Sequence, residues 1–400
     1  MNCSFCNTPL THVFIDLNHQ PPSNSFLTNL DEPEMTYPLR VFVCDQCFLV
    51  QLPEYKKATE IFNDEYIYFS SQSPANVSHA KEFADIMIER FNPKSVLEIG
   101  SNDGYMLQWF KARGCDVLGY DPAREAVEVA RSKGIETVAD FFGTDNTLYL
   151  IGSVDLICGV NVLAHQPDIN DFVEGVRIAL KPDGVAVFEF PHLMNLVDKC
   201  QFDTIYHEHY HYFSFMVIRE IFVKHGLIIF DVEEIPEHGG SLRIYATHKD
   251  NVTHGFSSGV SHLYFKEQQL GMKCLHYYTG FQYKVNKIKT DLVSFLIEQK
   301  RAGKLVMGYG APAKAATLLN YCGVKSDLLP FVVDRSPHKI GKFMPGSHIP
   351  VVDEAKIREL RPEYILVLAW NLKEEIMGQL KYVREWKCKF IVPIPTIEVI

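Results

Sequence analysis

The stretch Ser95-Val-Leu-Glu-Ile-Gly-Ser-Asn-Asp-Gly104 constrains the fold more than any other part of the chain. A short apolar strand runs into a glycine-rich turn, and Tyr105 to Arg113 resumes with helical spacing. Glycine lets backbone approach a ligand closely, and the following helix turns its N–H groups toward that ligand. A second strand, Asp116 to Asp121, ends in an acid 17 residues past Gly104. That spacing suits a carboxylate gripping both hydroxyls of a ribose. Taken alone, the pattern fits NAD as well as S-adenosylmethionine.

The elements downstream separate the two. Ala139-Asp140-Phe141-Phe142 follows a third short strand and is placed to contact an adenine. Ser153 to Cys158 reads as the fourth strand, and Asn161 to His165 leaves it on the ligand side. Asp171 to Leu180 reads as a helix, Lys181 to Val185 as a turn, and Val185 to Phe190 as strand five. A helix from Phe215 to His225 and strands at Leu227–Ile235 and Ser241–His248 follow. A helix and an antiparallel hairpin after strand five resemble the close of a class I methyltransferase sheet, whereas an NAD-binding half does not end that way. Glu98 ahead of the turn is similar to the acid of the E/D-x-G-x-G-x-G motif. The sequence therefore points to S-adenosylmethionine held by Glu98, Gly100, Asn102, Gly104, Asp121, Asp140, Phe141 and Asn161.

Before this lie two C-x-x-C pairs, Cys3/Cys6 and Cys44/Cys47, with 37 residues between them. Four thiolates paired in this way can hold one tetrahedral zinc, and with no open position it is structural. Redox use of either pair is the alternative; no surrounding βαβ pattern favours it. Val41–Val43 and Phe48–Leu52 read as strands of a small sheet, and Phe14 to Phe26, with Pro21-Pro22, as an irregular connection. A net charge of -10 argues against a nucleic-acid partner, and no apolar run is long enough to span a bilayer. The expected protein is cytoplasmic, so its ten cysteines are not expected as disulfides.

Phe202 to Ser214 carries three histidines, three tyrosines, an aspartate and a glutamate. Three readings are open: acid–base chemistry, a metal site on the alternating His207, His209 and His211, or a polar rim over a core. Beyond it, Lys304 to Lys314 repeats the strand, glycine turn and helix sequence, and later apolar strands alternate with helices. Gly255 to Ala302 is largely helical by pattern. Lys314 and Lys339 bring positive charge near strand ends, which suits a diphosphate. Arg243, after Gly239-Gly240, is a candidate to meet a phosphate bidentately, although a glycine pair there need only be a tight turn.

The quoted motifs resemble, across nearly the whole chain, the NDP-sugar C-methyltransferase family, which acts on deoxyhexoses with a keto group at C4. The matching residues are the four cysteines, Tyr68-Phe-Ser-Ser71, Glu98 to Gly104, Asn161 to His165, Phe202 to His209, Gly239 to Arg243 and Gly308 to Lys314. Asn102 departs from the general methyltransferase motif, where glycine is commoner, but fits this family.

The resemblance implies an α/β protein. It would have a small zinc-binding β domain (1–75), a class I methyltransferase Rossmann-like domain (76–250), and a helical linker with a Rossmann-like substrate domain (251–400). It implies S-adenosylmethionine and structural zinc as cofactors, and a nucleotide-diphosphate 4-keto sugar as substrate. It makes His209 the base, with Glu208, Tyr206, His165 and Tyr68 as the other site residues. Tyr66 is an alternative to Tyr68, and with Arg243, Lys314 and Lys339 makes up the substrate-binding set. The metal reading of the histidine run loses its motive once the zinc has four cysteines. The expected reaction is methyl transfer to C3 of the sugar through a base-generated enolate. An O- or N-methyltransferase, or a sugar-nucleotide-binding protein without activity, is the alternative.

Overall fold

The computed structural model describes residues 1–62 and 69–400. Tyr66 and Tyr68 lie outside the described residues. The chain forms two compact units. One comprises Met1–Thr11, Val43–Leu193 and Tyr210–Tyr277; the other comprises His12–Phe42, Met194–His209 and Tyr278–Ile400.

The first unit is built on seven strands: β1 (Ser95–Ile99), β2 (Asp116–Tyr120), β3 (Thr137–Val138), β4 (Val154–Val160), β5 (Leu180–Pro191), β6 (Leu227–Ile235) and β7 (Ser241–His248). Their order across the sheet is β6-β7-β5-β4-β1-β2-β3. Six strands share one direction, and β7, between β5 and β6, is antiparallel to both. Alternation along β1 sends Leu97 and Ile99 to one core and Val96 to the other. Glu98 shares its face with Val96, so a carboxylate occupies a position where the pattern calls for an apolar side chain.

Helix Pro74–Phe91 opens on Ser73, whose hydroxyl accepts the Asn76 N–H, and buries Ala80, Phe83, Ala84 and Met87. Helix Ile169–Ala179 is capped by Asp168, which accepts from Asn170 and Asp171. Helix Phe215–Lys224 is capped by Ser214. The expected turn at Lys181–Gly184 is instead part of β5. The register steps from Val154↔Leu180 to Leu156↔Val185, a bulge that absorbs the extra residues. Lys181 pairs with Asp155 at 2.6 Å, and the Gly184 carbonyl accepts from Thr247 at 2.8 Å, which holds the bulge in the sheet.

In the second unit, residues expected as an irregular connection begin with a nine-residue strand, His12–Gln20. Its Phe14 stacks on Phe281 at 4.7 Å between ring centres, and Ile15 and Leu17 are fully buried. The irregular part is confined to the segment after Gln20. This unit also holds a six-stranded sheet: β8 (Val306–Tyr309), β9 (Val332–Val333), β10 (Val351–Val352), β11 (Tyr364–Val367), β12 (Lys389–Val392) and β13 (Glu398–Val399), in the order β10-β9-β8-β11-β12-β13. All neighbours are parallel except β12 and β13. The α/β class read from the sequence is the observed one. No helix among the described residues is long and apolar enough to cross a membrane.

Candidate active site

Cys3, Cys6, Cys44 and Cys47 bring their sulfur atoms within 4.8 Å of one another. Tetrahedral bonds of about 2.3 Å to one zinc require sulfurs roughly 3.8 Å apart, so the cluster fits that ion. The Gln51 amide donates to the Cys3 sulfur at 3.1 Å, a contact that orients a ligand and favours its thiolate form. Cys3, Phe5, Cys44, Cys47 and Leu49 belong to the same hydrophobic core as helix Phe215–Lys224. Among the described residues this is the only metal-ligating group, and His207, His209 and His211 form none.

At the end of β1 the backbone takes positive φ at Gly100 (71°), Asn102 (48°) and Gly104 (73°). Asparagine is among the few non-glycine residues that adopt that region, and the Asn102 side chain accepts the Ser70 N–H, 32 positions away, at 2.8 Å. A Cβ at Gly119 on β2 would lie 2.3 Å from the Ser101 hydroxyl, so only glycine lets the turn approach that strand. Asp121 accepts the N–H groups of Asn102 and Ala123, each at 2.9 Å, and so faces the turn. Asp103 is paired with Lys133 at 3.0 Å.

Glu98 is 0% exposed, and neither carboxylate oxygen completes a hydrogen bond. Burial, reinforced by the charges of Asp121 and Asp103, holds its pKa well above the carboxylate range. Burial likewise raises Asp121 to about 6, against the pull of its two amide donors. A buried, unpartnered Glu98 beside Asp121 makes the turn a place that gains from a positively charged ligand. The sign of the pH effect follows. The ligand-free protein loses stability from Asp121 as pH rises from about 4 through about 6, because the folded pKa exceeds the ordinary one. If the Asp121 carboxylate holds the methyl donor, binding strengthens over the same interval. Calorimetric titration with S-adenosylmethionine is expected to show affinity falling as pH drops below about 6; a flat profile from pH 5 to 7.5 would remove Asp121 from the site.

Asn161 leaves β4 with φ of 57°, and its side-chain amide lies 2.9 Å from His238 Nε2. His165 ends the short turn Leu163–His165, its ring edge-on to Phe62 at 5.5 Å. Phe62 also meets Phe141, while Asp140 is exposed and accepts the Phe141 N–H at 2.8 Å. The Tyr210 N–H donates to the Ala164 carbonyl at 2.7 Å.

The chain passes from the second unit to the first between His209 and Tyr210. His211, on the far side, is fully buried with its pKa pushed down to about 3, and bonds the Ser4 hydroxyl at 2.7 Å. Burial thus favours its neutral form. His207 meets the Pro38 carbonyl at 3.3 Å and the Tyr37 ring at 5.9 Å.

His209 is 8% exposed, and its Nδ1 lies 2.8 Å from the Thr204 carbonyl oxygen. A carbonyl can only accept, so the proton sits on Nδ1 and the lone pair on Nε2. Tyr206 packs its ring on the imidazole at 4.0 Å, and Glu208 accepts from the Asn24 side chain at 2.7 Å. The tautomer is thus set by a backbone carbonyl. Neither Thr204 nor Asn24 was visible as a site residue: a main-chain acceptor leaves no side-chain signature, and Asn24 is 184 positions from its partner.

Arg243 is buried between two carboxylates, Glu189 at 2.6 Å and Glu233 at 3.0 Å. These partners give the guanidinium a structural reason to be there without a phosphate. In the second unit, Lys339 donates to the Ala311 carbonyl at 2.8 Å, and Lys314 to Asn371 at 2.8 Å. Burial lowers the pKa of both. The Ala311 N–H of the glycine turn donates to Asp334 at 2.7 Å.

Residues 3–62 match the family model of a zinc binding domain, 76–231 that of a methyltransferase domain, and 236–395 that of a C-methyltransferase C-terminal domain. The C-methyltransferase NovU of Streptomyces niveus is 33% identical over 406 residues, covering 100% of this chain and 96% of that protein. A ubiquinone biosynthesis O-methyltransferase of Actinobacillus pleuropneumoniae serotype 5b is 30% identical over 104 residues, 24% of this chain and 44% of its own length. Among solved structures, the PH0226 protein of Pyrococcus horikoshii OT3 aligns with 49% of this chain and 100% of its own, at 14% identity and a TM-score of 0.40. The full-length match, the three domain models in chain order and the acidic turn after β1 agree: the chain belongs to the C-methyltransferase family and is S-adenosylmethionine-dependent, with a four-cysteine zinc-binding domain at its N-terminal end.

Proposed function

We propose that the methyl acceptor is C3 of a nucleotide-linked 4-keto-deoxy sugar. A C–H bond is a poor proton donor, but a neighbouring ketone lets the resulting anion delocalise as an enolate. The observation that carries the reading is the His209 tautomer, which presents the lone pair of Nε2 as a base. In this reading His209 takes the C3 proton. The Asn24–Glu208 pair holds the adjoining backbone, and Glu208 favours the imidazolium once it forms.

Tyr206, His165 and Tyr68, or Tyr66 in its place, donate hydrogen bonds to the enolate oxygen. Such donors are each worth about 10²–10³ in rate. The bound donor supplies an electrophilic methyl group. Lys314 and Lys339 supply positive charge for the diphosphate, and their lowered pKa values fit sites that gain from an anion. With an inert donor analogue bound, incubation of the ketosugar nucleotide in deuterated buffer is expected to wash deuterium into C3. No enzyme-dependent exchange at C3 would overturn the enolate route.

A further inference from the structure

The Thr204 carbonyl that sets the His209 tautomer must itself be held. It belongs to a single turn, Phe202–Thr204, closed by Thr204 N–H to Gln201 at 3.1 Å and Ile205 N–H to Phe202 at 3.1 Å. The next carbonyl, Ile205, is tied to the Thr317 hydroxyl at 2.8 Å. Between these tethers sits Asp203, 0% exposed. A carboxylate so buried is costly unless paired, yet no apolar residue replaces it.

Its partners explain its presence. The Trp370 indole N–H donates to Asp203 Oδ2 at 2.7 Å. Burial raises the Asp203 pKa to about 6, the Lys314 charge pulls the other way, and Oδ1 completes no hydrogen bond. The Lys314 ammonium lies 4.8 Å from the Trp370 ring centre and is fixed by Asn371 at 2.8 Å. Asp203 is therefore tied to the short turn Trp370–Leu372, and it anchors the turn Phe202–Thr204 that carries the acceptor carbonyl. The Thr204 carbonyl shares a peptide with the Ile205 N–H that bonds Phe202, so loosening this turn lets that peptide rotate and turn the acceptor away from His209 Nδ1.

We infer that Asp203, held by the Trp370 indole, is a positioning residue that aims the Thr204 carbonyl at His209 and so fixes which imidazole nitrogen acts as the base. The inference concerns the geometry of His209, and its catalytic consequence rests on the function proposed above. It assigns to the C-terminal domain a part in setting the base.

The test uses full-length protein carrying Asp203→Asn and, separately, Trp370→Phe. The second keeps an aromatic ring near Lys314 and removes the N–H donor with part of the ring. Imidazole ¹⁵N spectra report the tautomer, with His209 signals assigned by their loss in His209→Asn. In the parent the proton is expected on Nδ1, and in both variants the signals are expected to shift toward a tautomer mixture. Turnover is expected to fall about 10–100-fold in both, as for misplaced catalytic groups, and in Trp370→Phe with the KM for the sugar and the affinity for the donor little changed. A merely bracing role would lower melting temperature without moving the ¹⁵N signals. Parent spectra in both variants would overturn the inference even if His209→Asn is inactive. Altered spectra with an active His209→Asn would leave the positioning intact and remove the proposed base.

Discussion

Replacing His209 by Asn is expected to lower turnover by about 10²–10⁴, the usual contribution of a positioned general base. Asparagine is close in size and can still donate to the Thr204 carbonyl, so the fold should be kept. It has no nitrogen able to take a proton near neutral pH. The acidic turn of Glu98 and Asp121 is made of other residues, so S-adenosylmethionine affinity should stay at the parent value. Deuterium wash-in at C3 should disappear together with methylation, because both need the same proton removed. Methylation at the parent rate would show that another group takes the proton.

Removing the zinc is expected to have the largest effect on stability. Four thiolates within 4.8 Å of one another repel when the ion is withdrawn, and they sit in the main hydrophobic core of the first unit. Structural zinc binding is worth roughly 10–16 kcal/mol in small zinc domains, comparable to or above the total stability of many proteins. A strong chelator should release one zinc per chain, measured with a colorimetric dye, and collapse the near-ultraviolet circular dichroism. Cys44→Ser should yield zinc-poor protein with a much lower melting temperature. A zinc-free chain that melts at the parent temperature would show that the cysteines are held by packing alone.

The central sheet was legible because its signals are local. Short apolar strands, the glycine turn at 100–104 and the Gly239-Gly240 hairpin each occupy a short window. The four cysteines were legible because the ligand type and the spacing within each pair already define tetrahedral geometry. The strand at 12–20 was missed because Pro21-Pro22 drew attention to the connection beyond it. The turn expected at 181–184 was misread because Pro182 and Gly184 signal turns, while the Lys181–Asp155 pair that keeps the segment in the sheet is non-local.

The candidate site divides in the same way. Residue types such as His209 and Glu208 stand out in a sequence. What orients them does not: a backbone carbonyl at Thr204, an asparagine at 24, and an indole at 370 that reaches Asp203 across 167 positions. The two compact units each draw on segments far apart in sequence, so reading along the chain finds the groups and misses their supports.

The most direct measurement is the product of a single incubation. The protein is mixed with S-adenosylmethionine carrying a ¹³C-labelled methyl group and a panel of 4-keto-6-deoxy sugar nucleotides, and the products are analysed by two-dimensional NMR. The account predicts label on a methyl group bonded to C3, with loss of the original C3 proton signal and none where the C4 ketone has been reduced. Label on an oxygen or nitrogen, or equal transfer to the reduced sugars, would contradict it.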